Sequence, residues 1–283
     1  MHRTLIGLAA LMWAGTAGAL ESPEEWSRPT APFHVAGPIY YVGTEGIGVY
    51  LFDTGSGLIL LDGGLAESAA SVERSVQTLG FRLRDIKLIV ATHAHFDHAG
   101  ALAQLKRDTG ARFYASAADR RAYETGTPPS DVDYGVVRFA PVKVDRTLAD
   151  GRAIKMGRVA LVPLLTPGHT PGCTSWALHM RESGRTIKAV FPCSLTVAGN
   201  KLYNNHGYPG IVADFRRSFA RVRTWKADIV LPAHPDFGDV LGRARRQRMG
   251  EKDAFIAPDL LPAMVAKAEA DFKAELKKQE LVK

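Results

Sequence analysis

The densest group of chemically active side chains is the segment Thr92-His93-Ala94-His95-Phe96-Asp97-His98. It follows directly after the apolar run 86–91, a pattern typical of a buried strand that ends in a loop of metal ligands. His93 and His95 are two residues apart, so an extended backbone directs both imidazoles to the same side. Without a metal, such dense packing of imidazole and carboxylate would leave buried polar groups without partners. The segment therefore predicts a metal site.

The second half of this segment predicts a second metal position close to the first. Asp97 and His98 come where Ala99-Gly100 opens a helix, so their side chains can turn toward another point nearby. Residues 93–98 contain three imidazoles and one carboxylate. This is more ligands than one loop needs to supply to a single structural ion. The spacing therefore favours two adjacent metal ions.

Two more histidines occupy the same class of position, directly after an apolar strand. His169 lies in the turn 166–172, which follows the apolar run 159–165, and His234 follows the run 228–231. Ligands bind where strand ends meet in layered α/β sheets, so we expect both imidazoles to complete the metal cluster.

The segments that must position these side chains alternate between strand and helix patterns. The predicted strands are 38–42, 48–52, 57–62, 86–91, 112–115, 140–144, 153–156, 159–165, 174–179, 186–191 and 228–231. The predicted helices are 65–79, 101–109, 117–125, 211–225 and 261–276. Each half of the chain begins with strands and continues with helix and strand, an order typical of layered α/β structure.

The N-terminal segment has the pattern of a cleavable signal peptide. Arg3 gives a positive start, Leu5 to Ala14 form an apolar centre, and Ala17-Gly18-Ala19 is a small-residue cleavage signal. The apolar run is too short to span a bilayer comfortably, and Leu20 rather than cysteine follows the expected cut. We therefore expect residues 1–19 to be removed and the mature chain to be periplasmic, with no membrane anchor.

Composition and charge favour a globular enzyme over a nucleic-acid-binding protein. Hydrophobic residues make up 46% of the 283 residues and charged residues 23%, as in ordinary globular proteins. The formal charge of +7 becomes +6 without Arg3 (7 − 1) and is scattered, apart from the arginines at 243–248. We interpret the basic residues as solvated surface and expect residues 20–283 to form one monomeric domain without a nucleic-acid partner.

The two cysteines, Cys173 and Cys193, flank a predicted hairpin turn at Glu182-Ser183-Gly184. A hairpin would place them opposite each other, and an oxidising compartment preserves disulfides. Two alternatives follow: a cross-strand disulfide, or a spare thiol beside the metal.

The ordered set of His93-Ala-His95-Phe-Asp97-His98, the His169 turn and His234 resembles the metallo-β-lactamase superfamily, over roughly residues 34–280. The resemblance implies an α/β fold, a four-layer αββα sandwich of two mixed β-sheets flanked by helices. It also implies a structural role for Asp62 beneath the metal loop. It further implies two zinc ions, one held by His93, His95 and His169 and the other by Asp97, His98 and His234.

One departure from the superfamily pattern narrows the resemblance. Most hydrolases of the superfamily carry a metal-bridging aspartate after the strand between His169 and His234, but here that strand ends in 191–196 without one. The commonest β-lactamases of the family use a cysteine there, and Ser194 occupies its place, with Cys193 adjacent and not expected to bind metal. This combination is similar to subclass B3 metallo-β-lactamases.

The resemblance to subclass B3 implies hydrolysis of penicillins, cephalosporins and carbapenems by a metal-activated hydroxide. It implies that Asp97 orients the hydroxide and that Ser194 and Thr196 bind the substrate carboxylate. We expect loops 126–140 and 197–210 to govern substrate choice, with Lys201, Asn204 and Tyr208 at the mouth of the site. The alternatives are a lactone or ester hydrolase of the same fold, an iron-containing sulfur dioxygenase, and a zinc-binding protein without catalysis.

Overall fold

The computed structural model describes residues 22–182 and 184–282, so the predicted signal peptide at 1–19 lies outside the described part of the chain. Two β-sheets pack face to face, and helices cover the outer face of each sheet. The four-layer αββα sandwich of two mixed sheets predicted from the sequence is confirmed.

Twelve strands and seven α-helices lie within the described residues. The strands are β1 (Phe33–Ala36), β2 (Ile39–Tyr41), β3 (Tyr50–Asp53), β4 (Leu58–Leu61), β5 (Ile86–Val90), β6 (Arg112–Ala115), β7 (Arg146–Thr147), β8 (Ile154–Met156), β9 (Val159–Leu165), β10 (Thr174–Glu182), β11 (Arg185–Phe191) and β12 (Ile229–Val230). The helices are α1 (Ala69–Thr78), α2 (Phe96–Ala99), α3 (Leu102–Thr109), α4 (Arg120–Thr125), α5 (Ile211–Val222), α6 (Val240–Arg248) and α7 (Leu260–Glu280). Short 3-10 turns occur at Glu24–Trp26, Ala66–Ser68, Leu83–Asp85 and Pro235–Gly238.

Each sheet contains both antiparallel and parallel pairs. The first sheet has the order β1 to β7, antiparallel from β1 to β4 and parallel from β4 to β7. The second has the order β12-β11-β10-β9-β8, antiparallel except for the parallel pair of β11 and β12. Parallel neighbours require crossover connections, and these place the carboxyl ends of β4, β5 and β6 at one edge of the first sheet.

Three hydrophobic cores separate the four layers. Along β3, Tyr50 and Phe52 pack between the two sheets, whereas Leu51 points into the core beneath α1 and α3. Along β10, Trp176 packs between the sheets and Ala177 faces the core under α5 and α7. Because alternate residues of a strand point to opposite faces, each central strand contributes to two cores, which explains the nearly continuous apolar runs.

Four segments differ from the sequence prediction. The predicted strand at 140–144 is wrong, because Val142 donates its backbone N–H to Tyr123 O at the end of α4 and its side chain packs into the core. The strands β1 and β7 were not predicted. The arginine-rich segment forms α6, which buries Val240 and Ala244 on one face and leaves its arginines at the surface.

The last helix, α7, closes the second sheet. Phe272 lies against Phe215 and Phe219 of α5, with ring centroids 5.0 and 5.5 Å apart. Lysine and glutamate cover the opposite face of α7. Within residues 22–182 and 184–282, none of the helices has both the length and the apolarity required to cross a membrane.

Candidate metal centre

The six side chains predicted as metal ligands meet at one edge of the sandwich. They follow the carboxyl ends of three strands: His93 to His98 follow β5, His169 follows β9, and His234 follows β12. Five of the six residues are buried, and His234 is half-buried. The strand ends of both sheets therefore bring together residues up to 141 positions apart (234 − 93).

The first group consists of His93, His95 and His169. The Nε2 atoms of His93 and His169 are 3.1 Å apart, and the ring centroids of His95 and His169 are 4.6 Å apart. One imidazole nitrogen from each residue lies within 4.8 Å of the other two. Three imidazoles in this arrangement form a suitable site for a divalent cation.

The second group consists of Asp97, His98 and His234. Asp97 Oδ2 lies 3.1 Å from His98 Nε2 and 3.3 Å from His234 Nε2, and the two Nε2 atoms are 3.3 Å apart. The two groups adjoin, since the rings of His93 and His98 have centroids only 4.4 Å apart. The six side chains therefore form one continuous cluster of metal-binding groups.

Hydrogen bonds determine which imidazole nitrogens carry protons. His169 Nδ1 lies 2.8 Å from Thr196 O, and a carbonyl oxygen only accepts, so Nδ1 carries the proton. Thr92 donates its hydroxyl proton to Asp62, so His93 Nδ1, at 3.0 Å from that hydroxyl, must also be a donor. The Nε2 atoms of His93 and His169, which face each other, then both carry a lone pair and no proton. A cation bound by both nitrogens stabilises this arrangement.

The pKa shifts favour the ligand forms of most of these groups. Burial lowers the pKa of His93 and His169 well below the usual value and that of His95 to about 4, so these imidazoles are neutral near pH 7. Burial alone would raise the pKa of Asp97, but His98 and His234 hold it well below the usual range. Burial likewise opposes the charge on His98, yet Asp97 raises its pKa, so metal and proton compete for this imidazole.

Hydrogen bonds within the protein do not satisfy every polar atom of this cluster. His95 Nε2 and His98 Nδ1 have no hydrogen-bond partner among the described residues. Asp62 Oδ2 lies 3.7 Å from His98 Nδ1, too far for a hydrogen bond. Imidazole and carboxylate are the ligands that zinc and similar divalent ions prefer, so the residues fit such an ion.

Asp62 supports the histidine loop from below. Its two carboxylate oxygens accept hydrogen bonds from the backbone N–H of Thr92 at 2.7 Å and from the Thr92 hydroxyl at 2.8 Å. Its backbone has a φ of +66°, an unfavourable conformation for a residue other than glycine. The chain of contacts from Asp62 through Thr92 to His93 fixes the orientation of the first imidazole.

Asp119, which the sequence reasoning missed, joins the two loops that carry the first group. The carboxylate is fully buried and accepts hydrogen bonds from Ala94 N at 3.2 Å, Thr170 Oγ1 at 2.7 Å and Gly172 N at 2.7 Å. Burial raises the pKa of Asp119 to about 6, although these donors lower it. Only its position directly before α4 distinguishes Asp119 in the sequence, so the pattern gave no signal of this role.

The two cysteines form a disulfide directly beneath the histidines, which confirms the first of the two alternatives. Cys193 Sγ lies 3.5 Å from Thr92 O and 3.7 Å from His93 Nδ1. The alternative of a spare thiol beside the metal is wrong, since both sulfurs are in the bridge. The bridge links the two strands at the open end of the hairpin of β10 and β11, and Cys193 contacts the base of the metal loop.

A cavity of about 400 Å³ opens above the histidines. Thr196 lines it, and Ser194 lies beside Thr196 with the two hydroxyl oxygens 2.9 Å apart, lining a neighbouring cavity. Tyr134 of the loop 126–140 also lines it, as do the unpredicted Trp26 and Phe237. Lys201, Asn204 and Tyr208 do not line this cavity, and the Tyr208 hydroxyl instead donates to Asp214 at 2.6 Å.

The two loops expected to govern substrate choice contact each other. Asp133 N donates to Gly199 O at 2.9 Å, and Lys201 N donates to Asp131 O at 3.0 Å. A β-bridge between Val132 and Asn200 lies between these bonds. The position of Tyr134 over the site therefore depends on both loops.

Comparison with known proteins finds similarity over most of the chain. A family model described as "Metallo-beta-lactamase superfamily" matches residues 42–234. The crystal structure of BJP-1, a subclass B3 metallo-beta-lactamase of Bradyrhizobium japonicum, is similar with a TM-score of 0.87 and 37% sequence identity. That similarity covers 92% of this chain and 98% of BJP-1.

Curated relatives match shorter parts of the chain. The hydroxyacylglutathione hydrolase GloC of Haemophilus influenzae is 26% identical over 45% of this chain and 60% of its own length. The N-acyl homoserine lactonase AttM of Azorhizobium caulinodans is 28% identical over 53% of this chain and 57% of its own length. The chain thus spans less than two thirds of the length of either relative.

Proposed function

Because the chain belongs to the metallo-beta-lactamase superfamily, whose fold binds divalent metal, we propose that it is a zinc-dependent β-lactamase of the subclass B3 type. It opens the β-lactam ring of penicillins, cephalosporins and carbapenems by amide hydrolysis. Two zinc ions are held per chain, one by His93, His95 and His169 and one by Asp97, His98 and His234. The near-complete coverage of BJP-1 supports this proposal over the other activities of the fold.

The observation that carries the proposal is the composition of the site after β11. The segment leading from that strand supplies Cys193, held in the disulfide, and Ser194, but not the bridging carboxylate that most hydrolases of the superfamily carry after this strand. The two aspartates between His169 and His234 lie elsewhere: Asp214 accepts from the Tyr208 hydroxyl and Asp228 from the Lys188 backbone N–H. A complete histidine and aspartate set without that carboxylate favours the B3 type.

When bound, divalent ions at such a site polarise a carbonyl oxygen and lower the pKa of water toward 7. Asp97 contributes through its second oxygen, because Oδ2 contacts His98 and His234 while Oδ1 has no hydrogen-bond partner among the described residues. Asp97 Oδ1 can therefore accept a hydrogen bond from the attacking water and hold it toward the lactam carbonyl.

The hydroxyl pair binds the anionic end of the substrate. Ser194 and Thr196 are half-buried, and one hydroxyl donates to the other across 2.9 Å. The remaining hydroxyl proton is available for a carboxylate, and charge-assisted hydrogen bonds of this kind are stronger than neutral ones. This contact would align the lactam over the histidine cluster.

The cell compartment and state of assembly are further parts of the proposal. Residues 1–19 direct export and are removed, so the mature protein acts in the periplasm. There it acts as a monomer on small-molecule substrates. N-terminal sequencing of protein from a periplasmic fraction tests this. A chain that begins at Leu20 agrees with it, and an unprocessed chain in the cytoplasm contradicts it.

Turnover of three substrate classes by the same zinc-loaded preparation tests the function. We expect hydrolysis of the cephalosporin nitrocefin and of a carbapenem, abolished by a chelator and restored by zinc. Hydrolysis of an N-acyl homoserine lactone or a glutathione thioester with no attack on any β-lactam would contradict the proposal and favour the activities named for AttM or GloC.

A further inference from the structure

The rim of the cavity over the histidines is acidic, although the chain as a whole is basic. Four carboxylates line this cavity, namely Glu25, Glu45, Asp97 and Asp236, and no lysine or arginine of the described residues does. The formal charge of the chain is +7. The side chains at the rim of the cavity, away from the metal centre, therefore carry a charge opposite in sign to the average charge of the protein.

Two of the four carboxylates lack a counter-ion. Asp97 belongs to the metal centre, and Glu45 pairs with Arg28 Nη1 at 2.9 Å. Glu25 and Asp236 are exposed and have no ion-pair partner within residues 22–182 and 184–282. Their charges therefore act on whatever enters the cavity, and salt screens them only in part at such short range.

Aromatic rings line the same cavity as these two carboxylates and contact His234. The ring centroid of Trp26 is 5.1 Å from that of His234, and that of Phe237 is 5.8 Å from it. Phe237 is 48% exposed, and Tyr134 lines the same cavity. Aromatic faces attract cations, and most strongly where carboxylates stand beside them.

The backbone holds the Glu25 and Trp26 segment in place over the site. Gly46 N donates to Glu25 O at 2.8 Å, and Thr44 Oγ1 donates to Trp26 O at 2.7 Å. A side chain at Gly46 would collide with Trp26, since an added Cβ would lie 2.6 Å from its ring. Hydrogen bonds and packing thus hold the acidic and aromatic rim in place as part of the cavity wall.

We propose that this rim selects β-lactams that carry a positive charge, such as an ammonium group, on the side chain at the end of the molecule opposite the carboxylate. The inference rests on the proposed β-lactamase function and specifies its substrate class. The anionic end of such a substrate faces the histidines and the hydroxyl pair of Ser194 and Thr196. Its cationic substituent lies against Trp26 and Phe237, with Glu25 and Asp236 as counter-ions.

Three penicillins that share one bicyclic nucleus test this inference: ampicillin with an ammonium group, benzylpenicillin with no side-chain charge, and carbenicillin with a carboxylate. At about pH 6.5 the α-amino group of ampicillin is protonated. We expect kcat/KM to be highest for ampicillin and lowest for carbenicillin, mainly through KM. The ratio of ampicillin to carbenicillin should fall when salt is raised from about 0.05 to 0.5 M.

The Glu25→Gln, Asp236→Asn double variant should reduce that ratio by roughly 10-fold, because both unpaired charges are removed. Glu24→Gln is the matched control, since Glu24 is adjacent, pairs with Arg28 at 2.8 Å and does not line the cavity. The ratio of ampicillin to carbenicillin should be unchanged in the Glu24→Gln control.

Failure to hydrolyse any of the three penicillins overturns the proposed function and this inference with it. Hydrolysis with the same ratio in the parent and the double variant overturns this inference alone.

Discussion

The buried carboxylate of Asp119 accepts a hydrogen bond of 2.7 Å from the hydroxyl of Thr170, the residue that follows His169. The same carboxylate accepts from the backbone N–H of Ala94, which lies between His93 and His95. A single side chain therefore sets the separation of two loops that come from different sheets. This carboxylate thereby links the two loops that carry the three imidazoles of the first group.

Asp119→Asn should weaken metal binding by about 10- to 100-fold, because the amide cannot accept all three hydrogen bonds and the loops lose their common anchor. Thr170→Val should have a smaller effect in the same direction. Competition with a chromophoric chelator measures the affinity. Asp145→Asn is the control, since Asp145 also accepts from a backbone N–H, that of Phe113, away from the metal loops. An equal loss of affinity in both aspartate variants would contradict a specific role of Asp119.

The pKa of Asp119 predicts a pH dependence of stability in the metal-free protein. The folded-state pKa of about 6 lies above the value of about 3.9 for an unfolded aspartate, so the native state retains this proton longer. The resulting stabilisation is complete below about pH 4 and is lost as the pH rises through about 6. The free energy of unfolding of the parent, relative to Asp119→Asn, should therefore fall over this window by on the order of 2 kcal/mol. Denaturant unfolding at several pH values measures it, and a difference that rises with pH would contradict the assignment.

The positions of the six candidate ligands could be predicted from sequence because strand ends carry their own signal. The apolar runs before His93, His169 and His234 mark strands of the two sheets, and ligands bind where the carboxyl ends of such strands meet. Asp119 could not be predicted in the same way. Its partners at 94, 170 and 172 are distant in sequence, and only the packing of the two sheets brings them to one carboxylate.

Removing one histidine from each group should remove one metal ion from each. We expect His169→Ala and His234→Ala each to bind about one zinc ion per chain instead of two and to lose activity by roughly 100-fold or more. His179→Ala is the control, because His179 is exposed on β10 away from the site. Metal analysis of dialysed protein gives the count. Retention of two ions by either variant would exclude that histidine as a ligand.

The disulfide should stabilise both the fold and the metal loop. Cys173 and Cys193 are 20 residues apart, and closing a loop of that length contributes about 3 kcal/mol. The Cys173→Ser, Cys193→Ser double variant should lose about that much unfolding free energy and some metal affinity, since Cys193 contacts the base of the His93 loop. Thiol titration of denatured, unreduced protein should find no free thiol. Two free thiols would contradict the bridge.

The fold prediction was correct for strands that are buried on both faces. It was wrong where a tertiary contact replaces the hydrogen bonds between neighbouring strands. The segment 140–144 has the apolar residues of a strand, but Val142 finds its hydrogen-bond partner at the end of α4. The acidic and aromatic rim of the cavity could not be predicted from the sequence for a related reason. Trp26 and Phe237 are separated by 211 residues (237 − 26) and become neighbours only because both pack on His234.

The most direct measurement is a zinc titration of metal-free protein in which bound zinc and carbapenem hydrolysis are followed together. We expect hydrolysis to appear as zinc binds, to reach a plateau at two ions per chain, and to disappear on addition of a chelator. Zinc-saturated protein that hydrolyses no penicillin, cephalosporin or carbapenem, or hydrolysis that persists after the metal is removed, would contradict the proposed function.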